Sequence, residues 1–337
     1  MSRSIPRLLL LAAAVTFLQV AHAADKIKLT MGWQPTMNGA RFFLAEAQDL
    51  FNKEGLDVTL IRFNAGPPFF AAFQSGSIDV GFIGIPPAVT AIAQGIAVKV
   101  VAIENEAGGA EGLVARKDSG IKSLKDLRGK KVATRRGSSA YSALLAGLKQ
   151  VGMTQADIQL IDLDVSAVIP AFEKGDIHAA WYWEPWMGLL KRRDGQLIVT
   201  DRDIKMPVGI VWVARDQWLQ KNDEAMQRLL RVLDIAAVRI REQPREAAKL
   251  VAKKLELTEE HVYEVFTKGA TWPSNAESMA DSYVFSMSRN MIAGRKGITG
   301  VMTDNANFQK ESKIIQAVPD FTKAVDSTWL QTYTKQK

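Results

Sequence analysis

The sequence lacks cysteine altogether and has only three histidines among 337 residues. Without a thiol the chain cannot form a disulfide, a thiolate zinc site, an iron–sulfur centre or a cysteine nucleophile. Charged residues make up 23% of the chain and hydrophobic residues 47%, an ordinary globular balance that excludes a disordered protein. The length favours about two domains.

The first residues have the pattern of a secretory signal peptide. Arg3 and Arg7 precede an apolar run over residues 8–20, and Ala21-His22-Ala23 is a small-residue cleavage site. The run is shorter than the ~20 apolar residues that a membrane span needs. We therefore expect cleavage after residue 23, a periplasmic location and no membrane-spanning segment.

The formal net charge of +7 is modest, and the basic residues are scattered. Two short basic clusters, residues 128–131 and 191–193, are typical of solvated faces, and no nucleic-acid-binding motif accompanies them. We expect no nucleic-acid partner.

Strand and helix patterns alternate through the first two thirds of the chain. The expected strands are 26–33, 56–63, 78–83, 98–104, 131–135, 158–163, 177–183, 197–200 and 210–214, and the expected helices are 39–54, 68–74, 87–94, 139–152 and 167–174. After Asp216 the pattern is almost wholly helical. This rhythm predicts an α/β protein with parallel sheets covered by helices.

Two segments match at a constant offset of 99 residues. Phe73-x-x-Gly76-x-Ile78 corresponds to Phe172-x-x-Gly175-x-Ile177, and Pro86 corresponds to Pro185. Both read as a helix, a glycine turn, a buried strand and a proline loop. The repeat predicts two similar lobes with equivalent loops at the carboxyl ends of equivalent strands, where open α/β sheets bind ligands.

A serine-rich helix start is the first candidate site. Gly137-Ser138-Ser139-Ala140-Tyr141 follows a strand and opens a helix, so free N–H groups, two hydroxyls and a phenol could hold an anion. The residues alone favour an ordinary N-cap serine over a ligand contact. The loop Gly84 to Pro87 is its counterpart in the first lobe, either an anion-binding loop or a tight turn. Gln34 follows the first strand and could also reach a ligand.

The segment Trp183-Glu184-Pro185 is the second candidate site. A carboxylate beside a tryptophan face could hold an ammonium group, although Glu184 could equally form an ion pair between the lobes. Trp272, on a later loop, is a third aromatic candidate, with surface packing as its alternative. His178 is expected to pack beside its strand and His261 to be exposed.

The chain resembles the periplasmic substrate-binding proteins of transporters for taurine, aliphatic sulfonates and nitrate. The resemblance rests on the ordered segments Phe73–Gly81, Gly84–Ala88, Ser123–Ala133, Gly137–Tyr141 and Gly175–Pro185. It implies a type II periplasmic-binding-protein fold, two α/β lobes joined by two crossover strands near residues 113–116 and 211–216. The implied division is residues 24–115 plus 216–337 for lobe I and residues 116–215 for lobe II.

The same resemblance implies a binding protein that captures a small anion or zwitterion, a sulfonate or alternatively nitrate or a pyrimidine precursor. Its partners would be an ABC permease and its ATPase, and the chain is expected to act as a monomer without cofactor or metal. The ligand-binding residues are expected to be Gln34, Gly84, Ile85, Pro86, Ser138, Ser139, Tyr141, Trp183, Glu184 and Trp272.

Two departures from the family pattern bear on function. The acidic residue that taurine binders carry before the strand at 211–213 is replaced here by Gly209-Ile210, so the resemblance implies the family more strongly than it implies taurine as the ligand. Glu111 matches a glutamate of the taurine branch, with support of the hinge as its alternative role. Enzymes that resemble this family depend on cysteine, which this chain lacks, and no G-x-S-x-G, P-loop or G-x-G-x-x-G motif occurs. We therefore expect a binding protein and not an enzyme.

Overall fold

The computed structural model describes residues 26–64, 66–288 and 297–336. The expected signal peptide, residues 1–23, lies outside the described residues. Across the three described ranges, no helix is both long enough and apolar enough to cross a membrane. Two mixed β-sheets form two halves of the molecule, and each half has its own hydrophobic core.

Ten strands build these sheets in the described part of the chain. They are β1 (Ile27–Trp33), β2 (Leu56–Arg62), β3 (Val80–Gly84), β4 (Val98–Glu106), β5 (Glu111–Arg116), β6 (Lys131–Thr134), β7 (Gln159–Asp162), β8 (Ala179–Trp183), β9 (Gly195–Thr200) and β10 (Gly209–Arg215). The first sheet has the order β2-β1-β3-β10-β4, and the second has the order β7-β6-β8-β5-β9. The predicted strands are thus confirmed, with ends displaced by one to a few residues.

The helices cover both sheets. They are α1 (Ala40–Ala47), α2 (Leu50–Lys53), α3 (Gly66–Ser75), α4 (Ile85–Ala93), α5 (Ser139–Gln150), α6 (Val165–Lys174), α7 (Trp186–Arg192), α8 (Asp216–Leu219), α9 (Asp223–Glu242), α10 (Pro244–Leu255), α11 (Glu259–Glu264), α12 (Asn275–Met279), α13 (Gly297–Glu311) and α14 (Thr328–Lys335). A π-helix at Val265–Gly269 continues α11. The single helix predicted over residues 39–54 is wrong, because Asp49 adopts a left-handed conformation with φ of 56° and divides it into α1 and α2.

The two sheets repeat one arrangement, as the sequence repeat predicts. β3 and β8 follow the two matched segments and hold the same central place in their sheets. Both strands are buried along their whole length, which explains their nearly continuous apolar sequences. Their carboxyl ends carry the two proline loops.

The prediction of parallel sheets is only partly right. β1 runs parallel to β2 and β3, but β10 runs antiparallel to β3 and β4. The second sheet has the same exception, with β5 antiparallel to β8 and β9. Each exceptional strand arrives from the other half of the molecule and enters its sheet at the carboxyl end of the central strand, so it must run backwards.

These two strands also mark where the chain passes between the halves. β5 belongs to the second sheet although it directly follows β4 of the first, and β10 belongs to the first sheet although it follows β9 of the second. The chain therefore changes halves within residues 107–110 and 201–208. Both positions lie ahead of the lobe boundaries expected after residues 115 and 215.

A buried ion pair fixes α1 against the first sheet. Arg41 Nε lies 2.9 Å from Glu104 Oε2, and Trp212 Nε1 donates to the same oxygen at 2.6 Å. Burial raises the pKa of the Glu104 carboxyl, against the opposing effect of Arg41. The next residue, Asn105, donates its amide to the carbonyl of Asn38 at 3.0 Å. This network holds the segment after β1 in place beneath the candidate site.

Candidate functional site

A small cavity of about 30 Å³ lies between the two halves, at the carboxyl ends of β1, β3 and β8 and at the start of α5. Polar and apolar groups alternate in its wall: Gln34, Thr36, Asn38, Gly66, Phe82, Ile83, Gly84, Pro87, Ser138, Ser139, Trp183 and Ile210. Both halves contribute, and none of these side chains carries a formal charge. The cavity therefore offers hydrogen bonds and apolar contact without a countercharge.

The start of α5 supplies hydrogen-bond donors from the second half. Ser138 is its N-cap, accepting from the Tyr141 N–H at 3.3 Å and donating to the Arg135 carbonyl at 2.6 Å. The hydroxyl of Ser138 is thus engaged within the turn, as in an ordinary cap. The N–H groups of Ser139 and Ala140 stand in the first turn of the helix, where no intrahelical acceptor exists and the helix dipole is positive.

Ser139 lines the cavity, but its hydroxyl forms a hydrogen bond with a residue behind the cavity wall. Its Oγ donates to Glu111 Oε2 at 2.7 Å, and Glu111 is fully buried at the start of β5. Asp201 is also fully buried and accepts from the Trp181 indole N–H at 2.8 Å. Burial raises the pKa of Glu111 to about 7 and raises that of Asp201, which the neighbouring Glu111 raises further.

The proline loop of the first half forms the facing wall. Gly84 is the N-cap of α4, and a Cβ built there would lie 3.5 Å from the Cβ of Ser139, so the two helix starts approach closely. Pro86 and Pro87 follow in the first turn and have no N–H to offer. Ile85 packs in the core and the Pro86 carbonyl accepts from Gln309 Nε2, so neither of these two predicted site residues is brought to the cavity wall.

The segment after β1 supplies side-chain amides. Gln34 is 8% exposed and its Nε2 has no hydrogen-bond partner among the described residues; the same is true of Asn38 Oδ1. Thr36, which sequence reasoning missed, accepts from the Asn38 N–H at 2.9 Å and caps the short 3₁₀ helix Met37–Gly39. Buried amides with unsatisfied atoms beside a cavity are candidates for ligand contact, because burial without a partner costs about 1–3 kcal/mol.

Trp183 and Glu184 are adjacent in sequence but face different ways. Trp183 lines the cavity and is 6% exposed. The Glu184 carboxylate accepts from the Gly188 N–H at 3.0 Å and lies 2.9 Å from His261 Nε2. It therefore bridges the two halves, the alternative left open by the sequence, and does not reach the cavity.

His261 is buried, so the expectation that it is exposed is wrong. Its Nδ1 lies 2.7 Å from Arg192 Nη1, and its ring fills the gap between α11 and α7. Because a guanidinium can only donate, Nδ1 accepts from Arg192, and Nε2 faces Glu184 on the other side of the ring. His178 packs beside β8, as expected, with Nδ1 accepting from the Lys131 N–H at 3.0 Å.

The remaining two predicted site residues lie elsewhere. The Tyr141 hydroxyl donates to Gln155 Oε1 at 2.7 Å, which turns the ring away from the cavity. Trp272 is buried in the first half with its ring edge against Phe266, at a centroid distance of 4.9 Å. The structure therefore brings together Gln34, Gly84, Ser138, Ser139 and Trp183 at the cavity.

The two α/β halves have the same strand order, two strands cross between them, and a cavity lies where they meet. This is the architecture of a type II periplasmic binding protein. The chain belongs to the NMT1/THI5-like family, whose model matches residues 36–247.

Individual relatives agree with this assignment. The chain is 27% identical over 333 residues to the taurine-binding periplasmic protein of Escherichia coli K12, covering 95% of this chain and 98% of that protein. It is 30% identical over 246 residues to a putative aliphatic sulfonates-binding protein of the same organism, covering 72% and 76%. The alkanesulfonate-binding protein SsuA from Xanthomonas axonopodis pv. citri bound to MOPS shares the fold, with a TM-score of 0.76, 21% identity and coverage of 91% and 100%.

One relative is named as an enzyme. The chain is 27% identical over 241 residues to the 4-amino-5-hydroxymethyl-2-methylpyrimidine phosphate synthase of Aspergillus parasiticus, covering 67% of this chain and 69% of that protein. Membership of the family therefore does not by itself distinguish binding from catalysis.

Proposed function

We propose that this chain is the solute-binding subunit of an ABC importer and that it holds a small aliphatic sulfonate in the cavity between its halves. The observation that carries the proposal is the cavity wall: helix-start N–H groups and the unpartnered Gln34 amide face an apolar surface, and no carboxylate lies among the lining residues. The relatives named for taurine and aliphatic sulfonates support the same ligand class.

A sulfonate suits this wall for a physical reason. It is the anion of a strong acid, so it stays charged throughout the physiological pH range and accepts hydrogen bonds without proton transfer. Oriented N–H groups at a helix start bind such anions through their dipole and their free donors. In our proposal the sulfonate lies at Ser139 and Gln34, and its carbon chain packs on Phe82, Trp183 and Ile210.

We propose further that the ligand needs no amine. The carboxylate that could pair with an ammonium group, Glu184, is already engaged by Gly188 and His261. An ammonium in the cavity would meet the face of Trp183 and neutral acceptors such as the Asn38 amide oxygen, and no carboxylate among the lining side chains. A simple alkanesulfonate should therefore bind about as well as taurine.

Transport would follow from closure. Both halves contribute to the cavity, so a ligand that touches both stabilises the closed form by its differential affinity for it. The partners in this proposal are a permease and its ATPase, which respond to the closed form. The location is the periplasm, reached through the signal peptide at residues 1–23.

We propose binding without turnover. The support is chemical: the chain has no cysteine for nucleophilic chemistry, and its cavity lining holds no histidine, lysine or carboxylate to move a proton. A ligand held by neutral donors can leave unchanged.

Calorimetric titration of the mature protein with ethanesulfonate, taurine, nitrate and sulfate tests the proposal. Buffers that are themselves sulfonates must be avoided, because they would compete. We expect both sulfonates to bind with affinities within about tenfold of each other, and nitrate and sulfate to bind more weakly. Failure of both sulfonates to bind would overturn the proposed function, and recovery of a changed product after long incubation would overturn the absence of turnover.

A further inference from the structure

A buried chain of four polar groups runs from the second sheet to the cavity. The Trp181 indole donates to Asp201 Oδ1 at 2.8 Å, and the Ser139 hydroxyl donates to Glu111 Oε2 at 2.7 Å. Glu111 and Asp201 are fully buried, and Ser139 is 7% exposed at the cavity wall. The two ends of this chain meet at Asp201 and Glu111, which are neighbours in the second sheet.

Asp201 and Glu111 are neighbours, because the Asp201 N–H donates to the Glu111 carbonyl at 3.0 Å, and a hydrogen bond between their carboxyl groups would need a proton. Glu111 Oε1 and Asp201 Oδ2 are buried and receive no N–H or O–H donor from the described residues. Burial raises the pKa of both carboxyls, and the two titrate as one pair. One proton of the pair exchanges near neutral pH, because burial raises the pKa of Glu111 to about 7.

Two charged residues near the pair have partners of their own. Glu184, at the end of β8, turns its carboxylate to His261. Arg202, beside Asp201, donates to the carbonyls of Lys268 and Gly269.

Of the other elements packed on β5, β9 carries no charged residue, and α7 carries Lys191 and Arg192, of which Arg192 contacts His261. β5 and α5 contribute Glu111 itself and Ser139. Burial is the largest cause of the raised pKa of each carboxyl. An anion entering the cavity would therefore lie close to a buried negative charge whenever Glu111 is ionised.

Ser139 connects the charge on Glu111 to the cavity, because its hydroxyl contacts Glu111 and also lines the cavity wall. A hydroxyl has one proton, so while Ser139 donates to the Glu111 carboxylate it presents only lone pairs to the cavity. A protonated Glu111 would donate to Ser139 instead and release that hydroxyl to point at the ligand. The same event removes the negative charge behind the site.

We propose that anion binding in the cavity draws one proton from solvent onto the Glu111–Asp201 pair. The hydrogen bonds then run in one direction, from Trp181 to Asp201, Glu111, Ser139 and the bound anion. Glu111 and Asp201 act as positioning residues for the sulfonate, which they never touch. The inference rests on the proposed function, since it needs an anion in this cavity.

The test is calorimetric titration with ethanesulfonate, whose charge does not change in the range used, in imidazole, bis-tris and Tris buffers of different ionisation enthalpy. We expect the affinity to fall at least about tenfold from about pH 6 to about pH 8.5, because each proton taken up contributes up to tenfold per pH unit above the pKa. We also expect the apparent heat above neutral pH to vary with buffer as proton uptake requires.

Two variants assign the proton. Glu111→Gln puts a permanent amide donor beside Ser139, so its affinity should be the same at both pH values and its heat independent of buffer. Glu173→Gln, an exposed residue on α6, should behave like the unchanged protein and serves as the matched control. Both variants keep His178 and His261, so the comparison changes no histidine.

The outcomes separate the two proposals. Absence of ethanesulfonate binding at every pH would overturn the proposed function and this inference together. Binding whose affinity and heat do not depend on pH or buffer, or that strengthens as pH rises, would overturn the inference alone. Should Glu111→Gln fail to fold, infrared difference spectra of the unchanged protein decide, because ligand binding should increase the absorbance of a protonated buried carboxyl group.

Discussion

Glu184 and His261 meet across the two halves of the molecule, with Oε2 and Nε2 2.9 Å apart and both side chains buried. The contact joins the loop after β8 to α11 and is closed on its far side by Arg192. Three groups separated by up to 77 positions in sequence thus form one contact that joins the two halves.

Replacing Glu184 tests whether it closes the halves or holds a ligand amine. Glu184→Gln removes the negative charge from the contact with His261. We expect the affinities for ethanesulfonate and for taurine to fall equally, by about tenfold. Calorimetric titration of both ligands measures the ratio. Glu173→Gln on the exposed face of α6 is the control. A loss of affinity for taurine alone would mean that Glu184 binds the ammonium group of the ligand, the role that its position beside Trp183 in the sequence indicates.

Gln34 should separate binding from stability. Gln34→Leu removes the unpartnered donor at the cavity, and we expect sulfonate affinity to fall about tenfold to 100-fold, as for a lost hydrogen bond to a charged group. The free energy of unfolding without ligand should stay unchanged or rise, because an unsatisfied buried amide disappears. Gln94→Leu, at an exposed position after α4, should alter neither the affinity nor the stability. Loss of stability in Gln34→Leu without loss of affinity would contradict the assignment.

Glu104 should matter for stability through its buried partner. Glu104→Ala leaves Arg41 fully buried without its carboxylate, and we expect the free energy of unfolding to fall by about 3–5 kcal/mol. Urea denaturation measures the loss. Glu46→Ala, which breaks the partly exposed pair with Lys254, should cost less than about 1 kcal/mol. Similar losses of free energy of unfolding in both variants would contradict the prediction, because the buried network beside Asn38 would then stabilise the fold no more than a partly exposed ion pair.

The sequence predicts the strands, most of the helices and the equivalence of the two halves because those features depend on local patterns. The offset between Phe73 and Phe172 locates β3 and β8 at equivalent places without any knowledge of their neighbours. It does not reveal the antiparallel direction of β5 and β10, because that direction depends on the passage of the chain between halves.

The site is predicted less completely, because side-chain direction depends on partners that are distant in sequence. Gln34 and Trp183 follow strand ends and do reach the cavity. Glu184 also follows a strand end, but Gly188 and His261 turn its carboxylate away. Phe82 was missed, although it lies 99 residues before Trp181, at the equivalent position of the equivalent strand.

The Glu111–Asp201 pair should also make the free protein less stable as pH rises. An ordinary glutamate has a pKa of 4.5, whereas burial raises the pKa of Glu111 to about 7 in the folded protein. Between these two pH values the folded state therefore binds more protons than the unfolded state. Stability contributed by the protonated group is then fully present below about pH 4.5 and is lost as pH rises through about 7. Over that window the loss is at most about 3 kcal/mol.

The same variant that tests ligand coupling tests this stability effect without any ligand. Urea denaturation at about pH 5 and about pH 8 should show the unchanged protein losing free energy of unfolding, and Glu111→Gln losing less of it. The sign is opposite to that of a carboxylate held by a cation, whose stabilisation grows with pH. If Glu111→Gln instead loses more stability than the unchanged protein at the higher pH, Glu111 is held as a carboxylate in the fold and Ser139 donates to it permanently.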